Sequence, residues 1–243
     1  MIESEADYLN RYDPAAFDRP SIAVDLVLMS VIDGLPAALL VRREEHPFAG
    51  SWALPGGFVH IDESLDDAAR RLLGDKAHMA DAYMEQLYTF GALGRDPRTR
   101  VISVAYFALL PADRFAAALR ADHGLTLARL RMDEDGNVAA STDDGNGDTA
   151  LPLAFDHAEL LSHAIRRLRG KIDYSPIGFA LLPDRFTLRA LQDVHEAILS
   201  VSLNKSAFRR RMLDRGWLEP TGERVTGSSF RPAELFRFRP VSS

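Results

Sequence analysis

The chain has no cysteine, which excludes both a disulfide framework and a thiolate zinc site. It has no basic leader followed by an apolar run. Residues 1 to 7 read Met-Ile-Glu-Ser-Glu-Ala-Asp, so no secretory signal is expected. A long hydrophobic run is also missing. The most apolar stretch, residues 22 to 41, is interrupted by Asp25, Asp33, Gly34 and Pro36 and does not read as a membrane span. None of the seven histidines stands at zinc-ligand spacing, and His60, His78 and His157 read as ordinary surface or core residues. These absences point to a cytoplasmic protein with no membrane partner.

What is present is ordinary globular material: 243 residues, 47% hydrophobic and 26% charged, enough for two domains. The charge is divided unevenly. Residues 1–183 carry 18 Lys and Arg against 28 Asp and Glu, while residues 184–243 carry 11 against 7. An acidic body with a basic C-terminal part is the footprint expected of a nucleic-acid reader joined to something else.

The first part reads as mixed α and β. Residues 22–32 and 37–43 form two strand candidates around a turn at Asp33 to Pro36, together a hairpin. In residues 51–59 the pair Gly56 and Gly57 suggests a backbone turn that no side chain would tolerate. Ser64, with Asp67 three residues on, can cap a helix running to about Ala77. Residues 132–150, rich in Asp, Gly, Asn, Ser and Thr, are expected to be an exposed, mobile loop.

Residues 56–79 carry the most informative pattern. Gly57, Glu63, Arg71, Leu73 and Met79 keep the frame of a Nudix box, which this segment resembles, while Leu72, Asp75, Lys76 and His78 stand where that family has Glu, Glu, Glu and Gly. Mg²⁺ needs carboxylate oxygens gathered on one helix face. Of the three acidic positions in the second half of the box only Asp75 remains an acid. Lys76 opposes a metal as well, since two unit charges 4 Å apart interact by about 4 kcal/mol at an effective dielectric near 20. Metal-dependent hydrolysis is therefore not expected, and no metal or cofactor is assigned.

The last sixty residues read as a winged helix-turn-helix. Thr187 caps a helix with an apolar stripe of Leu188, Leu191, Val194, His195, Ile198 and Leu199. A turn at 200–203 leads to a second cap at Asn204 and a helix from Lys205 to Arg215 that buries Phe208, Met212 and Leu213 and ends at Gly216. Arg210 and Arg211 fall opposite that apolar set, with Ser206 beside them. Residues 217–220 and 233–238 make a wing hairpin with Arg224 and Arg231 near its tip, placed for phosphate contacts. The candidate DNA-contacting residues are Thr187, Asn204, Lys205, Ser206, Arg209, Arg210, Arg211, Arg224 and Arg231.

The segments 85–91, 95–98, 101–110, 153–157, 167–174 and 181–183 are similar to those of one Nudix branch, the Nudix-related transcriptional regulators of NAD metabolism, so the resemblance covers nearly the whole chain. It implies an α+β fold: a Nudix-like α/β/α sandwich over 1–160, a linker at 161–183, and a winged helix-turn-helix over 184–243. It further implies a homodimeric repressor that binds a double-stranded operator and senses a nucleotide-diphosphate sugar such as ADP-ribose. Candidate effector-binding residues are Arg42, Gly56, Gly57, Glu63, Lys76, Arg95 and Arg98, with Arg43 a further anion ligand and His157 beside Asp156 a further effector contact. Lys76 has two open readings: it occupies the space of the lost metal and pairs with the diphosphate, or it is simply solvent-exposed where the metal has been lost. Arg71 is expected to brace the helix through a carboxylate. Three alternatives stay open at this point. One is a diverged hydrolase holding one metal on Glu63 and Asp75, the second a regulator sensing a phosphosugar, and the third a winged helix that binds only protein.

Overall fold

The computed structural model describes residues 4–79, 82–143, 145, 147–225 and 232–240. After a short helix α1 (Glu5–Arg11) come β1 (Ser21–Ile32) and β2 (Leu35–Arg42), joined at Asp33-Gly34. Both turn residues have positive φ, 51° and 74°, the geometry whose twist matches a two-residue hairpin. Two short strands follow, β3 (Trp52–Ala53) and β4 (Gly56–Phe58), then α2 (Leu65–Ala77), β5 (Tyr83–Phe90), β6 (Val101–Leu109) and α3 (Ala112–Ala121). The expected helix start is present: the Ser64 hydroxyl accepts the Asp67 N–H at 3.1 Å and donates to the Asp67 carboxylate at 2.7 Å.

The main sheet runs β5-β6-β1-β2 and continues through β7 (Leu125–Met132), β8 (Val138–Asp143) and β9 (Asp148–Ala150), with β3 on β2 and β4 on β1. β1 and β6 are parallel, and β1 is the hinge of the sandwich because its side chains alternate between two cores. Val24, Leu26 and Leu28 pack under α2 and α3, while Val27 and Met29 pack on the opposite face. That opposite face is covered by α4 (His157–Ile172), whose Leu160, Leu161, Ala164, Ile165 and Leu168 are fully buried or nearly so. The result is the expected α/β/α sandwich.

Two expectations about the body are corrected. The stretch 132–150 is not a bare loop, because β8 and β9 extend the sheet. Val138 and Ala140 bury their side chains there, and backbone pairing to β7 compensates for the poor apolar content. Gly56 and Gly57 do not adopt the left-handed region. They are needed for space: a Cβ on Gly56 would lie 2.5 Å from Asp25 Oδ1 and 2.8 Å from the Val24 carbonyl, and one on Gly57 2.9 Å from Leu72 Cδ2.

α4 crosses the expected boundary at 160 and passes through a 3-10 helix (Pro176–Leu181) into the C-terminal part. There α5 (Leu188–Leu199) and α6 (Lys205–Asp214) precede a small sheet of β10 (Phe186–Thr187), β12 (Glu234–Phe238) and β11 (Leu218–Arg224). Leu191, Ile198, Phe208, Met212 and Phe236 belong to the same apolar cluster as α4 and the body's lower face, so one continuous core joins the two parts. Among the described residues no helix is long and apolar enough to cross a membrane.

Candidate functional site

A cleft of about 110 Å³ opens beside β4, floored by Asp25 and His157 and rimmed by Arg43, Phe58, Arg95 and Arg98. β1 delivers Asp25 into it. The Ser103 hydroxyl donates to Asp25 Oδ2 at 2.6 Å, and Arg95 Nη2 lies 3.3 Å from the same oxygen. Arg95 also donates twice to Asp156, at 2.8 and 2.7 Å, across 61 residues of chain. Its side chain is 5% exposed. Burial pulls the guanidinium pKa down, but the Asp156 hydrogen bonds and the charges of Asp25 and Asp156 outweigh this and raise it. Arg95 is thus a buried, permanently charged brace between β1 and the start of α4.

His157 completes the floor. Its Nδ1 accepts the Leu54 N–H at 2.9 Å, which puts the ring proton on Nε2, 3.8 Å from Asp25 Oδ1. Burial holds its pKa below the usual histidine value, so the ring is neutral and structural. The cations facing outward are Arg43, over the Phe155 ring at 4.9 Å, and Arg98, which is held by Asp96 at 3.0 and 2.7 Å and lies over Phe58 at 5.8 Å. Asp96 stays below the usual carboxylate pKa range, chiefly through its Arg98 hydrogen bond.

The residues of the box do not fit a divalent metal. Glu63 receives Arg71 on both oxygens, at 2.6 and 2.9 Å, and also accepts the His60 N–H at 2.8 Å. The Arg71 hydrogen bond, then that of His60, lowers the Glu63 pKa to about 2. Leu72, 2% exposed, fills the space beside Gly57 with methyl groups. Asp75 is exposed and lies 4.0 Å from Arg71. Among the described residues no group of three or more His, Asp or Glu side chains is placed to hold a metal ion. Arg71 therefore braces the helix through a carboxylate, as its position suggested.

In the C-terminal part the caps form where expected: Thr187 Oγ1 accepts the Ala190 N–H and Asn204 Oδ1 the Ala207 N–H, each at 3.0 Å. Gln192 Nε2 donates to Glu196 and to the Leu203 carbonyl, and Glu196 accepts the Leu203 N–H, which locks the turn between α5 and α6. Lys205, Ser206, Arg209 and Arg210 are exposed on α6, with no ion pair among the described residues. Two details are corrected. Arg211 does not lie opposite the apolar face: its guanidinium sits over Phe208 at 5.5 Å and 3.5 Å from Asp173 at the end of α4. Leu213 is 42% exposed, one residue before α6 ends. Arg224 is exposed and donates to the Pro232 carbonyl, while Arg231 lies outside the described residues.

Residues 21–129 match the NUDIX domain and residues 178–238 the NrtR DNA-binding winged helix domain. An ADPR responsive transcriptional repressor NtrR from Acinetobacter baylyi is 36% identical over 98% of this chain and 89% of its own length. The chain belongs to the NrtR family. Shewanella oneidensis NrtR crystallised with a 27mer DNA is 34% identical with a TM-score of 0.76, covering 90% of this chain and 93% of that one. The NUDIX domain of the same protein crystallised with ADP ribose is also 34% identical, with a TM-score of 0.50 over 68% of this chain and 99% of that one.

Of the effector residues expected for this NrtR-family chain, the cleft brings together Gly56, Gly57, Arg95 and Arg98. It does not include Arg42, Glu63 or Lys76. Arg42 is exposed on the edge of β2 while its neighbour Arg43 turns into the cleft. Glu63 is fully engaged by Arg71. Lys76 projects into solvent from the last turn of α2, so the expected pairing of Lys76 with a diphosphate has no support in this cleft. Sequence reasoning missed Asp25, Ser103 and Asp156 as one network. A lone Asp between apolar residues in β1 was the available signal, since a carboxylate is rarely buried without a partner.

Proposed function

We propose that this chain is a DNA-binding transcriptional repressor controlled by a nucleotide-diphosphate sugar such as ADP-ribose, and that it lacks Nudix hydrolase activity. The observation that carries the reading is the union of an exposed arginine-bearing α6 with a box helix that holds Leu72 where a metal would need a carboxylate. The Acinetobacter baylyi relative, described as ADPR responsive, and the Shewanella oneidensis complexes with DNA and with ADP ribose support it.

In this reading Lys205, Ser206, Arg209 and Arg210 face a groove, the capped N-termini at Thr187 and Asn204 meet phosphates, and Arg224 follows the backbone from the wing. A homodimer places two such helices on a palindromic operator. Arg43 and Arg98 meet the diphosphate, because guanidinium pairs with phosphate oxygens in two-pronged fashion. The cleft at about 110 Å³ is smaller than the roughly 300–1,000 Å³ of ordinary ligand sites, so the segment bearing Arg95, Asp96 and Arg98 moves outward on binding. Because Arg95 grips Asp156, that movement reaches α4.

The test is a mobility shift on DNA from upstream of the gene, titrated with ADP-ribose, NAD and simple phosphosugars, alongside an ADP-ribose turnover assay in Mg²⁺. The expected result is a salt-dependent shift that ADP-ribose alters and no turnover. No shift under any condition, or turnover abolished by Glu63→Gln, would overturn the reading.

A further inference from the structure

A cavity larger than the cleft at β4 is present elsewhere in the molecule. It lies between the body and the winged helix, with a volume of about 760 Å³, and no part of the chemistry described above uses it. Its walls come from both sides of the junction: the end of α4, the 3-10 helix and the start of β5 on one side, β10 and β12 on the other.

The floor is aromatic. Phe179 and Phe238 stack at 4.7 Å with their planes 24° apart, and Phe186 meets Phe179 at 5.6 Å. Such a surface favours a flat apolar body. The rim is cationic. Lys171, Arg185 and Arg237 line the cavity against one acid, Asp184. Glu85 is shared by Arg167 at 3.0 Å and Lys171 at 2.6 Å, so that group keeps one net positive charge. Arg185 is matched by Glu223 at 2.5 Å, whereas exposed Arg237 has no ion pair among the described residues. A second hollow of about 700 Å³ shares Tyr83, Ala180, Pro183, Asp184 and Arg185 with this cavity.

We propose that this interdomain cavity is a second small-molecule site, separate from the β4 cleft, and that it takes an amphiphilic anion: a flat apolar body bearing one carboxylate, sulfonate or phosphate. The volume is that of ordinary ligand sites. The aromatic floor takes the body, and Arg237 with the Lys171 ammonium takes the charged group. Because the walls belong to two parts of the fold, an occupant fixes their relative arrangement and so alters presentation of α6. That last consequence rests on the DNA-binding reading above, while the site itself does not.

The full chain is titrated with anilinonaphthalene sulfonate, an aromatic sulfonate, and with phenylnaphthylamine, a neutral molecule of the same shape. Trp217 meets Phe179 edge-on at 6.1 Å and reports occupancy; Trp52→Phe removes the other tryptophan. The sulfonate is expected to bind one per chain and quench Trp217. The neutral compound should bind about tenfold more weakly, as should the sulfonate to Arg237→Glu, the effect of losing one charge-assisted contact. Ala180→Phe, which narrows the cavity and leaves the rim intact, should weaken binding, and ADP-ribose should not compete. Binding that is not saturable, is unchanged in both variants, is equal for the neutral compound, or is displaced by ADP-ribose would overturn the proposal. So would binding that falls as chain concentration rises, because a second copy would then cover the cavity. Operator affinity should change with saturating sulfonate. An unchanged affinity in a chain that does bind DNA would overturn the coupling, and a chain that binds no DNA would sink the DNA-binding reading instead.

Discussion

Replacing Arg95 by methionine removes the charge at the centre of the cleft while keeping most of the side chain's length. The magnitude follows from burial. Arg95 is 5% exposed, Asp25 11% and Asp156 16%, so solvent cannot take over the lost contacts. Two carboxylates lose a shared cation; among the described residues, Asp25 keeps only the Ser103 hydroxyl as a hydrogen-bond donor to its side chain. Breaking a buried ion pair on one side costs about 3–5 kcal/mol, because the remaining charge stays buried without compensation. At about 2–4 °C per kcal/mol for a chain of this size, Tm should fall by about 6–20 °C in a scanning calorimeter at pH 7. The combined Arg95→Met and Asp156→Asn variant removes one uncompensated charge and should recover at least about 1 kcal/mol relative to Arg95→Met alone. A fall of less than about 2 °C, or a double variant no more stable than the single one, would refute the view that Arg95 is a buried brace.

Four further outcomes follow from the same geometry. Burial, helped by the charge of Arg211, lowers the His195 pKa from 6.5 to about 4, so the fold holds this ring neutral while the unfolded chain protonates it below about 6.5. Its contribution is present above that pH and lost as pH falls towards 4, a total of about 3 kcal/mol at about 1.4 kcal/mol per unit, and His195→Leu should flatten that slope in urea titrations by about one proton. Arg209→Ala and Arg210→Ala should each lower the salt slope of DNA binding by about one without changing circular dichroism; an unchanged slope would remove them from the interface. Gly56→Ala should cost about 1–3 kcal/mol, since its Cβ meets the Val24 carbonyl at 2.8 Å, whereas Gly91→Ala, 3.7 Å from Arg100, should cost far less in the same denaturation assay. Asp173→Asn should leave Tm nearly unchanged, because exposed pairs contribute about 1 kcal/mol or less, yet shrink the effect of ADP-ribose on operator affinity in mobility shifts.

Local chemistry made much of this fold legible. Asp33-Gly34 names its turn, Ser64, Thr187 and Asn204 name their helix starts, and the near-continuous apolar run of β1 is that of a strand buried on both faces. What stayed hidden depended on distant partners. β8 and β9 form because β7 offers an edge, which composition alone does not reveal. Arg42 and Arg43 look alike in sequence, and only the end of β2 decides that Arg43 faces the cleft. The same holds for Arg211, whose position relative to the apolar face of α6 is set by Asp173 on another helix. Asp25, Arg95 and Asp156 are separated by 61 residues or more, and a network of that kind is legible only once the topology joins them.

α4 is the element through which an effector at the cleft could reach DNA. Its first cap, Asp156, holds Arg95, and its last, Asp173, accepts Arg215 through its carbonyl and faces Arg211 through its carboxylate. Along the way Arg169 donates to the Ile198 carbonyl and to the Ser200 hydroxyl at the end of α5, each at 2.8 Å. Sixteen residues at 1.5 Å each carry a displacement about 24 Å. The two ends differ in strength. The cleft end is buried and worth several kcal/mol, whereas the α6 end is half exposed and worth about 1 kcal/mol per contact. The weaker end bounds the signal: a few contacts of this size give a coupling of about 1–3 kcal/mol, or a change of about 5- to 150-fold in operator affinity. A stronger end would tie α6 to the body in every state, and a ligand that met the same contacts in both states would shift nothing.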